Sequence, residues 1–229
     1  MVNDGIPLVG VGSERRSASY EPMAKTIPWW TVAAGSAAPV LLIGGFLVAA
    51  TVQPASYNPV RDTISALAER GSTDWWLMTS ALLGLGLCYL LVALGLQIAG
   101  GGARLLLAGR GVATLLIALF REPGHGYSLV HELAVIAAVL TCCPWPAIAS
   151  RRLHPAPLLR RFPGFVAAGV SVGLAAWYGI ETHGALLGLA ERCAAAAPPL
   201  WLFAVVVTTR RVFTQPAATQ HPTGGELTA

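Results

Sequence analysis

Long apolar stretches alternate with short polar ones along this 229-residue chain. The apolar runs predict membrane-crossing helices at Trp29 to Val52, Trp75 to Ala99, Leu105 to Phe120, Leu129 to Ser150, Phe162 to Ile180 and Ala194 to Thr209. Most come near the roughly 20 residues that a helix needs to cross hydrocarbon. The third is short and carries Arg110, which one or two turns from a helix end can snorkel its guanidinium back to the headgroups. Between the first two runs, Asn58-Pro59 is a helix start and Gly71 a stop. Val60, Ile64 and Leu67 fall on one face of that segment and Arg61, Ser65 and Glu69 on another, which predicts a short helix lying at the interface. The expected fold class is all-α, a polytopic membrane bundle of six transmembrane helices. Residues 29–211 form one transmembrane domain, and the aperiodic ends, 1–28 and 212–229, read as disordered cytoplasmic tails.

Composition agrees with that drawing. With 55% hydrophobic and 11% charged residues and a mean hydropathy of +0.61, the chain has more apolar side chain than one soluble core of this size could hide. The surplus faces the lipid bilayer. A net charge of +4 would suggest nucleic acid in a soluble protein, but here the placement of each charge matters more than the sum, and no nucleic-acid partner is expected. In a model with both termini inside, Arg15, Arg16, Lys25, Arg104, Arg110, Arg151, Arg152, Arg160, Arg161, Arg210 and Arg211 fall on the inner side. Arg61, Arg70, Arg121 and Arg192 are left outside, as the bias of cytoplasmic loops toward positive charge requires. The expected location is the bacterial plasma membrane, multi-pass, with both termini cytoplasmic.

Acids and imidazoles divide the other way. Asp62, Glu69, Asp74, Glu122, Glu132, Glu181 and Glu191, with His125, His131 and His183, all fall at the outer ends of helices or in outer loops. The inner loops therefore read as anchors and the outer ones as a site. His131 and Glu132 follow the apolar pair Leu129-Val130, so they lie below the surface, where an ionisable group is costly without a partner or a wet cavity. Two partners fit: a metal held by His125, His131, Glu132 and His183, or a salt-bridged network with Arg61, Arg121 or Arg192. The four cysteines form no CxxC pair and read as small packing residues. Gly84, Gly95 and the GxxxG pair Gly169 and Gly173 read as helix-packing positions, and Trp29, Trp30, Trp75 and Trp76 as interfacial anchors.

Two tempting patterns fail. His131-Glu132 opens like a zinc-protease HExxH, but Val135 stands where the second histidine would be. Gly169 to Gly173 matches GxSxG, yet it lies inside a membrane helix where no strand-turn-helix elbow can form. The tetrad Leu67-Ala68-Glu69-Arg70 recurs as Leu189-Ala190-Glu191-Arg192, in positions that fit neither an inverted nor a parallel repeat.

Four segments resemble a known family, the six-span proteins grouped as domain of unknown function 998. They are Tyr57 to Gly71 with its Arg-Asp-Thr-Ile-Ser core, the glycine-rich second helix, Phe120 to Glu132, and Gly188-Leu189-Ala190-Glu191-Arg192. The resemblance covers about residues 30 to 210, with Glu122 where the family pattern has an aspartate. It implies a fold and a location, and no activity. From the residues themselves the expectation is a polar pocket at the outer face that binds or modifies a lipid-like or amphipathic small molecule. Its candidate reacting groups are Asp62, Ser65, His131 and Glu132, and its candidate binding groups Arg61, Arg121, His125, His183 and Arg192. The residues name no cofactor beyond the metal alternative above. The competing expectation is a transporter or a non-catalytic membrane partner subunit.

Overall fold

A computed structural model describes residues 27–123, 128–151 and 153–214. Six helices in it are long and apolar enough to cross a membrane: α1 (Trp29–Thr51), α3 (Trp76–Gly95), α4 (Gly101–Leu119), α5 (Leu129–Ala149), α6 (Arg161–Ile180) and α7 (Leu187–Thr214). A single-turn helix, α2 (Ile64–Leu67), lies in the connection between the first two spans. Among the described residues there is no strand.

Three of the spans are irregular, each for a local reason. Pro39 lacks an N–H and its ring crowds the preceding turn, and the ladder widens into a π-helical stretch over Val40–Gly44. α5 breaks at Cys143 and Pro144 between Leu129–Cys142 and Trp145–Ala149. α7 carries Pro198 and Pro199 in its interior.

Without a hydrophobic drive between helices in lipid, association depends on close packing. α3 and α4 cross where a Cβ on Gly86 would come 3.0 Å from the Gly111 carbonyl oxygen, and one on Gly111 2.9 Å from that of Gly86. Gly84 and Gly95 of α3 lie against Leu41 and Thr31 of α1, as small packing residues should. The GxxxG pair behaves otherwise. Among the described residues nothing comes within 4 Å of a Cβ built on Gly169 or Gly173, so these two glycines line a stripe of α6 that no described helix covers.

Two ends of the bundle differ in character. One, here the loop face, carries the connections at Val52 to Trp75 and Gly184 to Leu186, together with Phe120 to Pro123 and Ser128. The other, the basic face, carries Arg104, Arg151, Arg160, Arg161, Arg210 and Arg211. There Arg104 donates from Nε to the Ala93 carbonyl at 2.6 Å, and Gly100, at φ +83°, makes the tight turn from α3 into α4.

Candidate functional site

The connection between α1 and α3 folds back over the bundle and docks on the start of α7. A helix start leaves its first N–H groups without intrahelical partners. Here Gly188 N–H donates to Arg61 O at 3.2 Å and Leu189 N–H to Val60 O at 2.9 Å. Arg192, one turn on, donates from Nη1 to the carbonyls of Pro59 (2.6 Å), Asp62 (2.8 Å) and Gly188 (2.8 Å), and from Nη2 to the Tyr57 hydroxyl. The Glu191 carboxylate accepts from Ile64 N–H at 2.5 Å at the start of α2, where Thr63 Oγ1 also caps Ala66 N–H at 3.0 Å. The paired tetrad residues Glu191 and Arg192 thus hold one loop from two sides.

α2 is shorter than the helix expected over Asn58 to Gly71. Asn58 and Asp62 bond locally in place of the first helical turns: Asn58 N–H donates to Asp62 Oδ2 at 2.7 Å and Val60 N–H to Asn58 Oδ1 at 2.9 Å. Arg61 points outward, 61% exposed, paired with Asp62 at 2.9 Å. Both line a shallow open groove on the far side of the loop, away from Ser65. The Arg61 guanidinium holds the Asp62 carboxyl below the usual carboxylate range, with burial opposing and the Asn58 N–H assisting. A depressed carboxyl adds stability that is present above the unfolded value, about 3.9, and is lost as pH falls through the folded value. Amide protection at residues 58 and 60–62, taken relative to the intrinsic exchange rate at each pH, is accordingly expected to fall in acid below that range, and Asp62→Asn to remove that pH dependence; an unchanged profile in the variant would assign the acid effect elsewhere.

Ser65 points inward from α2 and meets α5. Its Oγ lies 3.2 Å from Nε2 of His131, which is 3% exposed. The other ring nitrogen, Nδ1, is 3.0 Å from the Phe120 carbonyl oxygen, which can only accept. In the neutral ring Nδ1 therefore carries the proton, and the Ser65 hydroxyl donates to Nε2. Glu122 Oε1 stands 4.0 Å from the same Nε2, and burial raises the Glu122 carboxyl above its ordinary range, with His131 opposing. Glu122 is tied to the docked loop as well, its carbonyl accepting from Arg70 N–H at 3.3 Å.

A hydroxyl bonded to an imidazole whose second nitrogen is fixed can give up and regain a proton. An acyl-transfer centre would also need free N–H donors beside the hydroxyl. The adjacent Ile64 N–H is occupied by Glu191 and is not free to serve as such a donor.

Behind Ser65 and Glu191 a cavity of about 90 Å³ runs into the bundle, touching every spanning helix. Leu42, Leu85, Val135 and Val139 give it apolar walls, and Ser65, Ser171, Tyr178, Glu191 and Arg110 bring polar groups to it.

The other expected site residues stand apart from this cavity. Arg121 stacks 3.7 Å over the Trp75 ring, an interfacial cation–π contact. His183 is exposed in the turn after α6, and Glu132 is half-buried on α5 beside His131. His125 lies outside the described residues. Among the described residues no three His, Cys, Asp or Glu side chains are grouped to hold a metal. Four polar cavity residues, Ser171, Tyr178, Glu191 and Arg110, were not among the expected site residues. The signal for Glu191 was its place in a segment that resembles the family. The signal for Arg110 was a cation in a short span.

The described residues of the three loop-face segments that carried the family resemblance, Tyr57 to Gly71, Phe120 to Glu132 and Gly188 to Arg192, therefore meet at one place. No curated protein and no solved structure matches the chain. The family described as Protein of unknown function (DUF998) matches residues 36–208, well over half of the sequence, and the chain belongs to that family.

Proposed function

We propose that this membrane protein holds the polar end of a lipid-like amphiphile in the cavity beneath the docked loop, on the non-cytoplasmic side. The observation that carries the reading is the mixed lining. Apolar walls from Leu85, Val135 and Val139 share one intramembrane space with Ser65, Tyr178 and Glu191. That lining suits a polar group with an attached chain, since binding sites combine apolar walls with a few polar groups that orient the ligand. Sidedness follows from charge: Arg104, Arg151, Arg160, Arg161, Arg210 and Arg211 gather at the opposite face, and positive loops stay in the cytoplasm. This supports a plasma-membrane protein with both termini inside. Ser65 and His131 would move a proton to or from the bound headgroup.

A photoactivatable, clickable oleate tests the reading. Crosslinks are expected at cavity positions such as Val135, Ala175 and Tyr178, and Ser65→Trp should suppress them. Crosslinks confined to lipid-facing positions such as Leu133, Leu140 and Phe165 would remove the cavity from consideration. A second reading, transport, is supported by Arg110 at mid-span and the interrupted helices α1 and α5. It predicts that a fluorescent oleate changes leaflet faster in vesicles containing the protein than in empty ones, and an equal rate would dismiss it.

A further inference from the structure

The floor of the cavity is Arg110. It is the middle residue of α4 (Gly101–Leu119), about 13 Å along the axis from either end. At that depth its side chain cannot snorkel to either surface, as the sequence had suggested, and it is 8% exposed. Its Nε has no hydrogen-bond partner, and neither does the hydroxyl of Tyr89, whose ring centroid lies 5.7 Å from the guanidinium carbon. Among the described residues no carboxylate is salt-bridged to it. A guanidinium offers five N–H donors in a planar fork and accepts nothing. Its missing partner is therefore an acceptor, and in so apolar a setting an anion offsets its desolvation best.

The shape of the cavity says how such an anion would arrive. α5 and α6 touch near the basic face, where a Cβ on Gly164 would lie 2.7 Å from the Pro146 carbonyl oxygen. Beyond Gly164 the Leu129–Cys142 part of α5 and α6 make no comparable approach, and Gly169 and Gly173 face open space. Val139 of α5 and Ala175 of α6 line the cavity from the two sides of that gap. About 90 Å³ holds several waters or one compact headgroup, and not an acyl chain as well. Glu191, the acid of the cavity, is bonded to Ile64 N–H at its loop-face end, and Arg110 is the cation among the described residues that line the cavity.

We infer that Arg110 is the anchor for the anionic headgroup of a single-chain amphiphile, a carboxylate or a phosphate monoester, whose chain leaves through the gap between α5 and α6. This rests on the amphiphile-binding reading and adds the charge of the ligand and the residue that selects it.

The test is binding of radiolabelled oleate, 1-oleoyl-lysophosphatidate and the neutral 1-oleoylglycerol to delipidated protein in detergent. One or both anions are expected to bind more tightly than 1-oleoylglycerol, and the tighter anion identifies the headgroup as carboxylate or phosphate. Arg110→Met should weaken anion binding roughly ten- to a hundredfold, the usual worth of a charge-assisted pair, and Arg110→Lys should weaken it less. Binding of 1-oleoylglycerol should change less than twofold. Without ligand, Arg110→Met should melt no lower than the parent, because it removes a buried cation that lacks a protein partner. Equal binding of all three lipids, an Arg110→Met variant that keeps the anion, or one that fails to fold would each overturn the assignment. Ala175→Trp separates the two readings. If it abolishes binding while Arg110→Met does not, the cavity stands and the anion anchor falls; if neither variant alters binding, both fall.

Discussion

Replacing Arg192 with methionine is expected to detach the loop-face connection from α7 and to lower stability by about 2–4 kcal/mol. Four acceptors lose their donor at once: the carbonyls of Pro59, Asp62 and Gly188 and the Tyr57 hydroxyl. Each charge-assisted hydrogen bond contributes about 1.5–3 kcal/mol and the four share one side chain, so the total is well below their sum. Methionine keeps the apolar stem that packs near Phe46, over which the guanidinium lies 5.5 Å from the ring centroid. The loss is therefore polar and not steric. Lysine should recover only part of it, because a single ammonium cannot match a planar fork aimed at several carbonyls. Hydrogen exchange locates the effect: amides of residues 57–67 should lose protection while those in the middle of α3 and α4 keep theirs. Uniform loss throughout the bundle would mean that Arg192 supports the whole fold and not the loop.

Gly188→Ala should damage the same junction by a different route. An added Cβ would sit 2.3 Å from the Asp62 carbonyl oxygen and 2.7 Å from that of Pro59, both backbone atoms that no rotamer change can clear. The loop has to lift. Forced overpacking of this kind costs about 1–3 kcal/mol, and lifting the loop carries Ser65 away from His131. Two consequences follow. The double variant Gly188→Ala with Arg192→Met should cost clearly less than the two single changes added, since a loop already released has little left to lose. Crosslinking of photoactivatable oleate at the cavity should fall in Gly188→Ala as in Ser65→Trp. Full additivity in thermal melts would place the two residues in separate devices.

The six spans were legible because hydrocarbon thickness and the chain's uncharged runs leave little choice, and the errors lie where charge interrupts a helix. Drawing the last span from Ala194 excluded Glu191 and Arg192. The helix in fact begins at Leu187, because the docked loop supplies partners that a hydropathy window cannot see. The third span, drawn from Leu105, put Arg110 less than two turns from an end, where snorkelling would suffice. Its helix starts at Gly101, and those four residues put Arg110 at the middle of the span. The GxxxG pair met open space because spacing alone does not say which helix face finds a neighbour. Ser65 and His131 were both marked from their own segments, but their meeting is tertiary. It depends on Gly188, Glu191 and Arg192 fixing the loop more than a hundred residues away in sequence.

The shared premise of the site is that the cavity beneath the docked loop communicates with the non-cytoplasmic side. Single cysteines at Ser65, Ala175 and Leu133, in a chain whose four native cysteines are alanine, can be challenged in intact cells with a membrane-impermeant thiol reagent. Cysteine at 65 and 175 should react from outside and be shielded by oleate, while cysteine at 133, which faces lipid, should stay unmodified. Reaction at 65 and 175 that occurs only after the cytoplasmic face is opened, or that equals the reaction at 133, would contradict the account.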